Sequence, residues 1–213
     1  MTPNGTAAPL VAGVALLERA FGYTLSSLVL VTPAALTRPS PCRGWDLAIL
    51  LAHMNDSLLA LHEAIGTGRV PLEPTDCGAD GALPVPAVAA LRARGCRMLG
   101  EWSEALQEQS GSDGSDGLGA GSGDVVSVAG RLVTRALVAA TGAVEVVVHG
   151  WDVACACGRP RSIPAPLAEE LLELAPLLVS AADRGGRFGP PVEVSPRATA
   201  GDRLVAFLGR EPR

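Results

Sequence analysis

The sequence predicts an all-α fold: a four-helix bundle with a crossover connection and a small C-terminal appendage. Three observations predict it. Hydrophobic residues make up 48% of the chain and are mostly Ala, Val and Leu, with aromatics at only 3%, a composition that favours helices. Apolar side chains recur at helical spacing over long stretches. Clusters of Gly, Pro, Ser and Asp separate those stretches. A length of 213 residues suits a single domain, with the bundle over residues 1–160 and a C-terminal helix and appendage over 161–213 packed on it.

The first helix is expected from about Leu10 to Val31, with Leu16, Leu17, Ala20, Tyr23 and Leu28 as its apolar positions. Thr32-Pro33 ends it, and Pro39, Pro41 and Gly44 make Thr37–Gly44 a loop. Asp46 reads as the N-cap of a second helix over Leu47–Ile65, which Gly66-Thr67-Gly68 stops. A long connection over Arg69–Leu83 leads to a third helix over about Pro86–Gln107. The segment Ser110–Gly123 is nearly all Ser, Gly and Asp and reads as a flexible insertion in a helix connection. A fourth helix is expected from about Val126 to Cys157, stopped by Gly158-Arg159-Pro160. A fifth follows Pro166 to about Ala182, then a turn-rich stretch with a short strand at Val192–Val194, then a last helix over Ala200–Leu208 ending at Gly209.

The net charge is −5 and the isoelectric point near 5.2, without basic clusters interleaved with aromatics, which argues against a nucleic-acid partner. A small-molecule substrate is the plainer expectation. The N-terminus lacks a charged region before its apolar stretch, so no secretory signal is expected. The apolar run Leu132–Val148 holds Arg135 and Glu145, so it reads as a buried helix and not a membrane span. The five cysteines, Cys42, Cys77, Cys96, Cys155 and Cys157, are odd in number and read as reduced thiols of a cytoplasmic protein.

Histidine is scarce: the chain has only His53, His62 and His149. Glu145 and His149 stand at i,i+4 and project from one helix face, a spacing that can chelate one ion. Their neighbours Val144, Val146, Val147 and Val148 are apolar, so a lone carboxylate there needs a partner. His53 stands in another apolar stretch, Leu50-Leu51-Ala52-His53-Met54. His, His and Glu form a ligand set of catalytic zinc sites, and nickel, iron or manganese can use the same set. The spacing equally fits an ordinary hydrogen-bonded Glu145–His149 pair and a satisfied core histidine at position 53. Asp152, three residues after His149, is placed either to accept a second ring N–H or to form a salt bridge near the helix end. Arg131 and Arg135, on the same expected helix, either meet an anionic substrate or cofactor or pair with acidic side chains. Cys42 precedes a helix N-terminus, where a thiolate is stabilised, yet a structural role is favoured for it. Trp45 and Trp151 read as packing residues, Cys155 and Cys157 as core or surface thiols, and His62 as a surface residue.

Three segments carry a resemblance. The first is Pro41-Cys42-Arg43-Gly44-Trp45-Asp46-Leu47 leading into Leu50-Leu51-Ala52-His53. The second is Glu145-Val146-Val147-Val148-His149-Gly150-Trp151-Asp152-Val153-Ala154, followed by Gly158. The third runs from Arg187-Phe188-Gly189-Pro190 through Asp202-Arg203-Leu204-Val205-Ala206-Phe207-Leu208-Gly209-Arg210. Together they resemble the DinB-like superfamily, in particular the metal-binding N-terminal domain of mycothiol-dependent maleylpyruvate isomerase and its actinobacterial branch. The resemblance implies a DinB-like four-helix bundle, one divalent metal ion on His53, Glu145 and His149, and a homodimer. It also implies mycothiol as a thiol cofactor in some relatives. The reaction it implies first is a mycothiol-dependent S-transferase or isomerase acting on a small molecule. Two other classes stay open: a thiol-independent lyase, hydrolase or cyclase of secondary metabolism, and a non-catalytic metal-binding protein.

Overall fold

A computed structural model describes residues 7–70, 84–111, 124–180, 184 and 188–212. Six α-helices lie among the described residues: α1 (Ala7–Leu28), α2 (Leu47–Gly66), α3 (Pro84–Gly111), α4 (Arg135–Ala156), α5 (Ala165–Leu178) and α6 (Ala200–Phe207). A short 3-10 turn occupies Pro33–Ala35. The fold is all-α, as the composition and spacing predict. Most of the Ser110–Gly123 segment, most of the Arg69–Leu83 connection, Cys77 and Arg187 lie outside the described residues.

Two expectations are corrected. The fourth helix does not start at Val126. Strands β1 (Arg69–Val70), β2 (Val125–Val128) and β3 (Arg131–Thr134) form a small sheet in the order β1-β2-β3, and α4 begins only at Arg135. β1 pairs parallel with β2, with Arg69 opposite Ser127, and β2 pairs antiparallel with β3, with Val126 opposite Val133. Arg131 therefore stands on β3 and not on the helix that carries Glu145 and His149. The β2–β3 loop has two residues, Ala129 and Gly130, at φ 54° and 76°. Positive φ at both positions suits the right-handed twist of a tight hairpin. Second, Val192–Val194 is not a strand among the described residues; the Val192 N–H donates to the Ala206 carbonyl at 2.9 Å.

The chain divides into two compact units, each assembled from separate segments. One comprises Met1–Glu18 and Ala52–Ala143, the other Arg19–Leu51 and Val144–Arg213. In the first, Leu10, Leu17, Leu58, Leu91, Met98 and Trp102 are buried. The Trp102 indole N–H donates to the Leu61 carbonyl at 3.2 Å, so the one polar atom of this large side chain is satisfied. His62 pairs with Glu101.

The second unit positions the candidate site. Its core includes Phe21, Leu28, Leu47, Leu50, Val147, Val148, Leu171 and Leu204. Each fully buried leucine there contributes roughly 1.5–3 kcal/mol. Thr24 of α1 donates its hydroxyl to the Val146 carbonyl of α4 at 2.7 Å, in a buried bond. The two helices approach so closely that a Cβ at Gly150 would run into the Thr24 hydroxyl oxygen. This contact sets the depth and rotation of α4 beside His149. α4 is long and apolar enough to cross a membrane, but it is mostly buried within the protein, as the core helix of a soluble protein can be.

Candidate metal centre

The site grows from one face of α4. Glu145, His149 and Asp152 follow at i, i+4 and i+7, so their side chains share that face. His149 Nε2 lies 3.1 Å from Glu145 Oε1. Its other ring nitrogen, Nδ1, lies 3.0 Å from Asp152 Oδ2. Asp152 is 0% exposed and His149 5%.

A loop brings in a fourth group. Ser40, Cys42 and Trp45 close a tight turn in which the Trp45 N–H donates to the Cys42 carbonyl at 3.0 Å. Gly44 takes φ +81° at its third position, a left-handed conformation that a side chain resists. Asp46 then caps α2, accepting the Ile49 N–H on Oδ1 at 2.9 Å. The turn aims Cys42 at α4: its thiol donates to Asp152 Oδ2 at 3.2 Å and stands 3.8 Å from His149 Nδ1.

The fifth group comes from the end of the chain. α6 ends in a Schellman motif, with Gly209 N–H on the Ala206 carbonyl at 3.0 Å and Arg210 N–H on the Val205 carbonyl at 2.9 Å. Gly209 takes the left-handed φ of +80° that this motif requires. Arg210 is thereby turned inward and is only 7% exposed. Its Nη2 donates to Asp152 Oδ2 at 3.0 Å and its Nε to Oδ1 at 3.4 Å, a forked grip on one carboxylate. Nη1 donates to the Leu208 carbonyl at 2.8 Å, and Nη2 stands 3.5 Å from Cys42 Sγ. The guanidinium also lies over the Phe188 ring, at 6.0 Å from its centroid.

Electrostatics follow from this packing. Burial alone would push Asp152 upward, but the His149 hydrogen bond and Arg210 outweigh it and hold the carboxyl below its ordinary range. Asp152 is thus an ionised acceptor, and the nitrogen facing it must donate. That places the proton of a neutral His149 on Nδ1 and leaves the lone pair of Nε2 directed at Glu145. Two lone pairs cannot face each other at 3.1 Å without a cation between them. Burial opposes charge on His149, yet the charge of Glu145 and the hydrogen bonds that the ring makes with Asp152, Cys42 and Glu145 raise its pKa well above the ordinary imidazole value. Asp152 and Arg210 cancel in charge, so Glu145 leaves the cluster one negative charge when His149 is neutral. The donors and the charge balance both fit a cation, a proton or a divalent ion, at Nε2 and Glu145.

Cys42, His149 and Asp152 also present Sγ, Nδ1 and a carboxylate oxygen within 4.8 Å of one another. That side of the ring already holds positive charge, because Arg210 touches both Sγ and Oδ2. An ion fits the Nε2 side better.

Of the residues singled out by sequence, Glu145, His149 and Asp152 are brought together within the second unit. His53 is half-buried on α2, beside buried Met54, and belongs to the first unit, as do Arg131 and Arg135. Arg131 is exposed on β3 and Arg135 is half-buried at the start of α4. Sequence reasoning missed Arg210 as a site residue and undervalued Cys42. The one available signal was a Gly-Arg pair closing a short amphipathic helix. Trp151 is buried, Cys155 is buried and Cys157 half-buried, its thiol pushed up by burial.

The family model of the mycothiol maleylpyruvate isomerase N-terminal domain matches residues 19–154. The chain belongs to that family. The matched span contains Cys42, His53, Glu145, His149 and Asp152 and stops well before Arg210. Searches of curated proteins and of solved structures returned no match.

Proposed function

We propose that the chain is a metal-dependent enzyme acting on a small molecule, with a mycothiol-dependent S-transfer or isomerisation as its reaction. The ion is zinc in the first instance, with nickel, iron or manganese able to use the same donors. In this reading its ligands are His53, Glu145 and His149, two imidazoles and a carboxylate, the set that the family resemblance implies. The observation that carries the reading is the 3.1 Å approach of His149 Nε2 to Glu145 Oε1 while Nδ1 is committed to Asp152. The name of the family supports the choice of a mycothiol reaction.

Three protein ligands leave an ion room for a further one. Bound there, a zinc ion lowers the pKa of a thiol or water and polarises a carbonyl. The chain's own residues do the rest. Asp152 orients His149, Glu145 brings negative charge, and the apolar residues of α4 keep bulk water from their side of the ring. Arg131 and Arg135 are the candidates to meet an anionic group on the thiol or the substrate. A homodimer in the cytoplasm, without nucleic-acid or membrane partners, completes the reading.

Metal analysis of the purified protein after repletion tests it, beside His53→Ala and Glu145→Ala variants. The expected result is about one ion per wild-type chain, and a loss of roughly 10–100-fold or more in affinity for each variant. No stoichiometric metal in the repleted wild type overturns the metal, and a proton then fills the Nε2–Glu145 gap. Mycothiol added to the metal-loaded protein should raise its melting temperature. An unchanged melting temperature at saturating mycothiol removes the thiol reaction and leaves a thiol-independent enzyme or a binding protein.

A further inference from the structure

The contacts of Asp152 lead beyond the residues that the family match contains. This carboxylate is fully buried, and it receives hydrogen bonds from His149, Cys42 and Arg210. Arg210 reaches it across 58 residues of sequence, from the turn that closes α6. That turn is closely packed. Gly209 holds the left-handed conformation, and a Cβ on it would stand 2.7 Å from the backbone of Gly189. The Nη1 bond to Leu208 fixes the guanidinium plane, so Nε and Nη2 can only point at the two oxygens of Asp152.

Held in this way, Asp152 presents one oxygen to His149 Nδ1 and cannot rotate away. A carboxylate without such a clamp has other rotamers, and a histidine without an acceptor at Nδ1 has two neutral tautomers. Only the tautomer with the proton on Nδ1 leaves Nε2 free to bind an ion beside Glu145. Arg159 supplies an internal contrast. It also follows a left-handed glycine at a helix end, yet it is exposed.

We propose that Arg210 is a positioning residue: the C-terminal turn clamps Asp152, and through it fixes His149 in the tautomer whose Nε2 faces Glu145. The inference rests on the metal reading for its consequence, since that tautomer is the one an ion requires. It concerns residues the metal never touches.

The test uses the full chain with Arg210→Met, which keeps most of the side-chain bulk and removes the fork, and Arg210→Lys, which keeps the charge. Zinc affinity is measured by competition with a chelator. The His149 tautomer is read from imidazole nitrogen shifts of metal-free protein at alkaline pH, with the ring neutral. Expected are zinc binding weaker by about 10–100-fold in Arg210→Met, a smaller loss in Arg210→Lys, and a mixture of tautomers in place of one. A merely structural role would lower the melting temperature without changing the tautomer. A single Nδ1–H tautomer in the folded Arg210→Met variant overturns the proposal, as does unchanged zinc affinity. If Arg210→Met does not fold, Arg210→Lys decides by the same two measurements, because a point charge cannot reproduce the fork. If wild-type protein binds no zinc, the metal reading fails alone, and the tautomer measurement still upholds or overturns the clamp.

Discussion

Helices α4 and α6 end by the same local rule and serve different purposes. Each closes with a left-handed glycine, Gly158 at φ +72° and Gly209 at φ +80°. Each carries the paired backbone bonds of a Schellman motif: at α4, Gly158 N–H meets the Cys155 carbonyl and Arg159 N–H the Ala154 carbonyl, both at 2.9 Å. An arginine follows each glycine. Arg159 turns to solvent, whereas Arg210 turns onto a buried carboxylate. The backbone motif dictates the direction of the next residue, and the packing around it decides whether that direction means anything. A Gly-Arg pair is therefore a stop signal in sequence and a functional device only in three dimensions.

The strongest way to break this comparison is to add the same methyl group to both glycines. Gly158→Ala meets only Arg38 Nη1, at 3.6 Å, the far end of a flexible side chain. It should lose only the cost of a left-handed alanine, about 1 kcal/mol. Gly209→Ala adds a contact of 2.7 Å with the rigid backbone of Gly189. Overpacking of that kind costs about 1–3 kcal/mol beyond the conformational term. Its total loss should be about 3 kcal/mol, or roughly 6–12 °C in melting temperature for a chain of this size. Denaturant melts of the two variants check this directly. Equal losses would mean that the Gly209–Gly189 approach relaxes freely and that the C-terminal turn is not rigid.

The conformational part of that cost has its own calibration within the chain. Ala129 already stands at φ 54° in the β2–β3 loop, the one described non-glycine residue at positive φ. Ala129→Asn gives a side chain better suited to this conformation and to a two-residue hairpin. It should stabilise the protein by about 0.5–1 kcal/mol, because it removes strain without making the unfolded chain as free as glycine would. A thermal melt that fails to rise would lower the conformational share assumed for Gly158→Ala by the same amount.

Ala129 also shows why part of the fold was hard to read. The helices were legible because their apolar spacing is long and Gly66, Gly158 and Gly209 mark their ends. The hairpin was not, because Ala-Gly replaces the usual Asn-Gly or Asp-Gly and no Gly or Pro separates β3 from α4. The β-branched cluster Val125-Val126-Ser127-Val128 was the signal, and short apolar runs of this type fit both periods. The candidate site divides in the same way. Glu145, His149 and Asp152 share a helix face, so spacing placed them. Cys42 lies 110 residues from Asp152 and Arg210 lies 58 away, and only tertiary packing joins them.

The smallest expected effect asks whether the pairing of arginine with carboxylate, or its burial, gives Arg210 its weight. Arg19 and Glu170 form the same forked pair on the surface of the same unit, with side chains 43% and 52% exposed. The Arg19 hydrogen bond, against a little burial, draws the Glu170 carboxyl below its ordinary value. A carboxyl depressed in the folded state adds stability above its unfolded pKa and loses it as pH falls through the folded one. Solvent screening limits that gain to a few tenths of a kcal/mol. Glu170→Gln should therefore lower stability slightly at neutral pH, and the difference from wild type should vanish in acid below the carboxylate range. Paired melts at the two pH values measure it. A neutral-pH loss of more than about 1 kcal/mol would show that pairing alone carries weight in this unit. The expected small loss would leave burial as the reason that Arg210 and Asp152 act as a clamp while Arg19 and Glu170 do not.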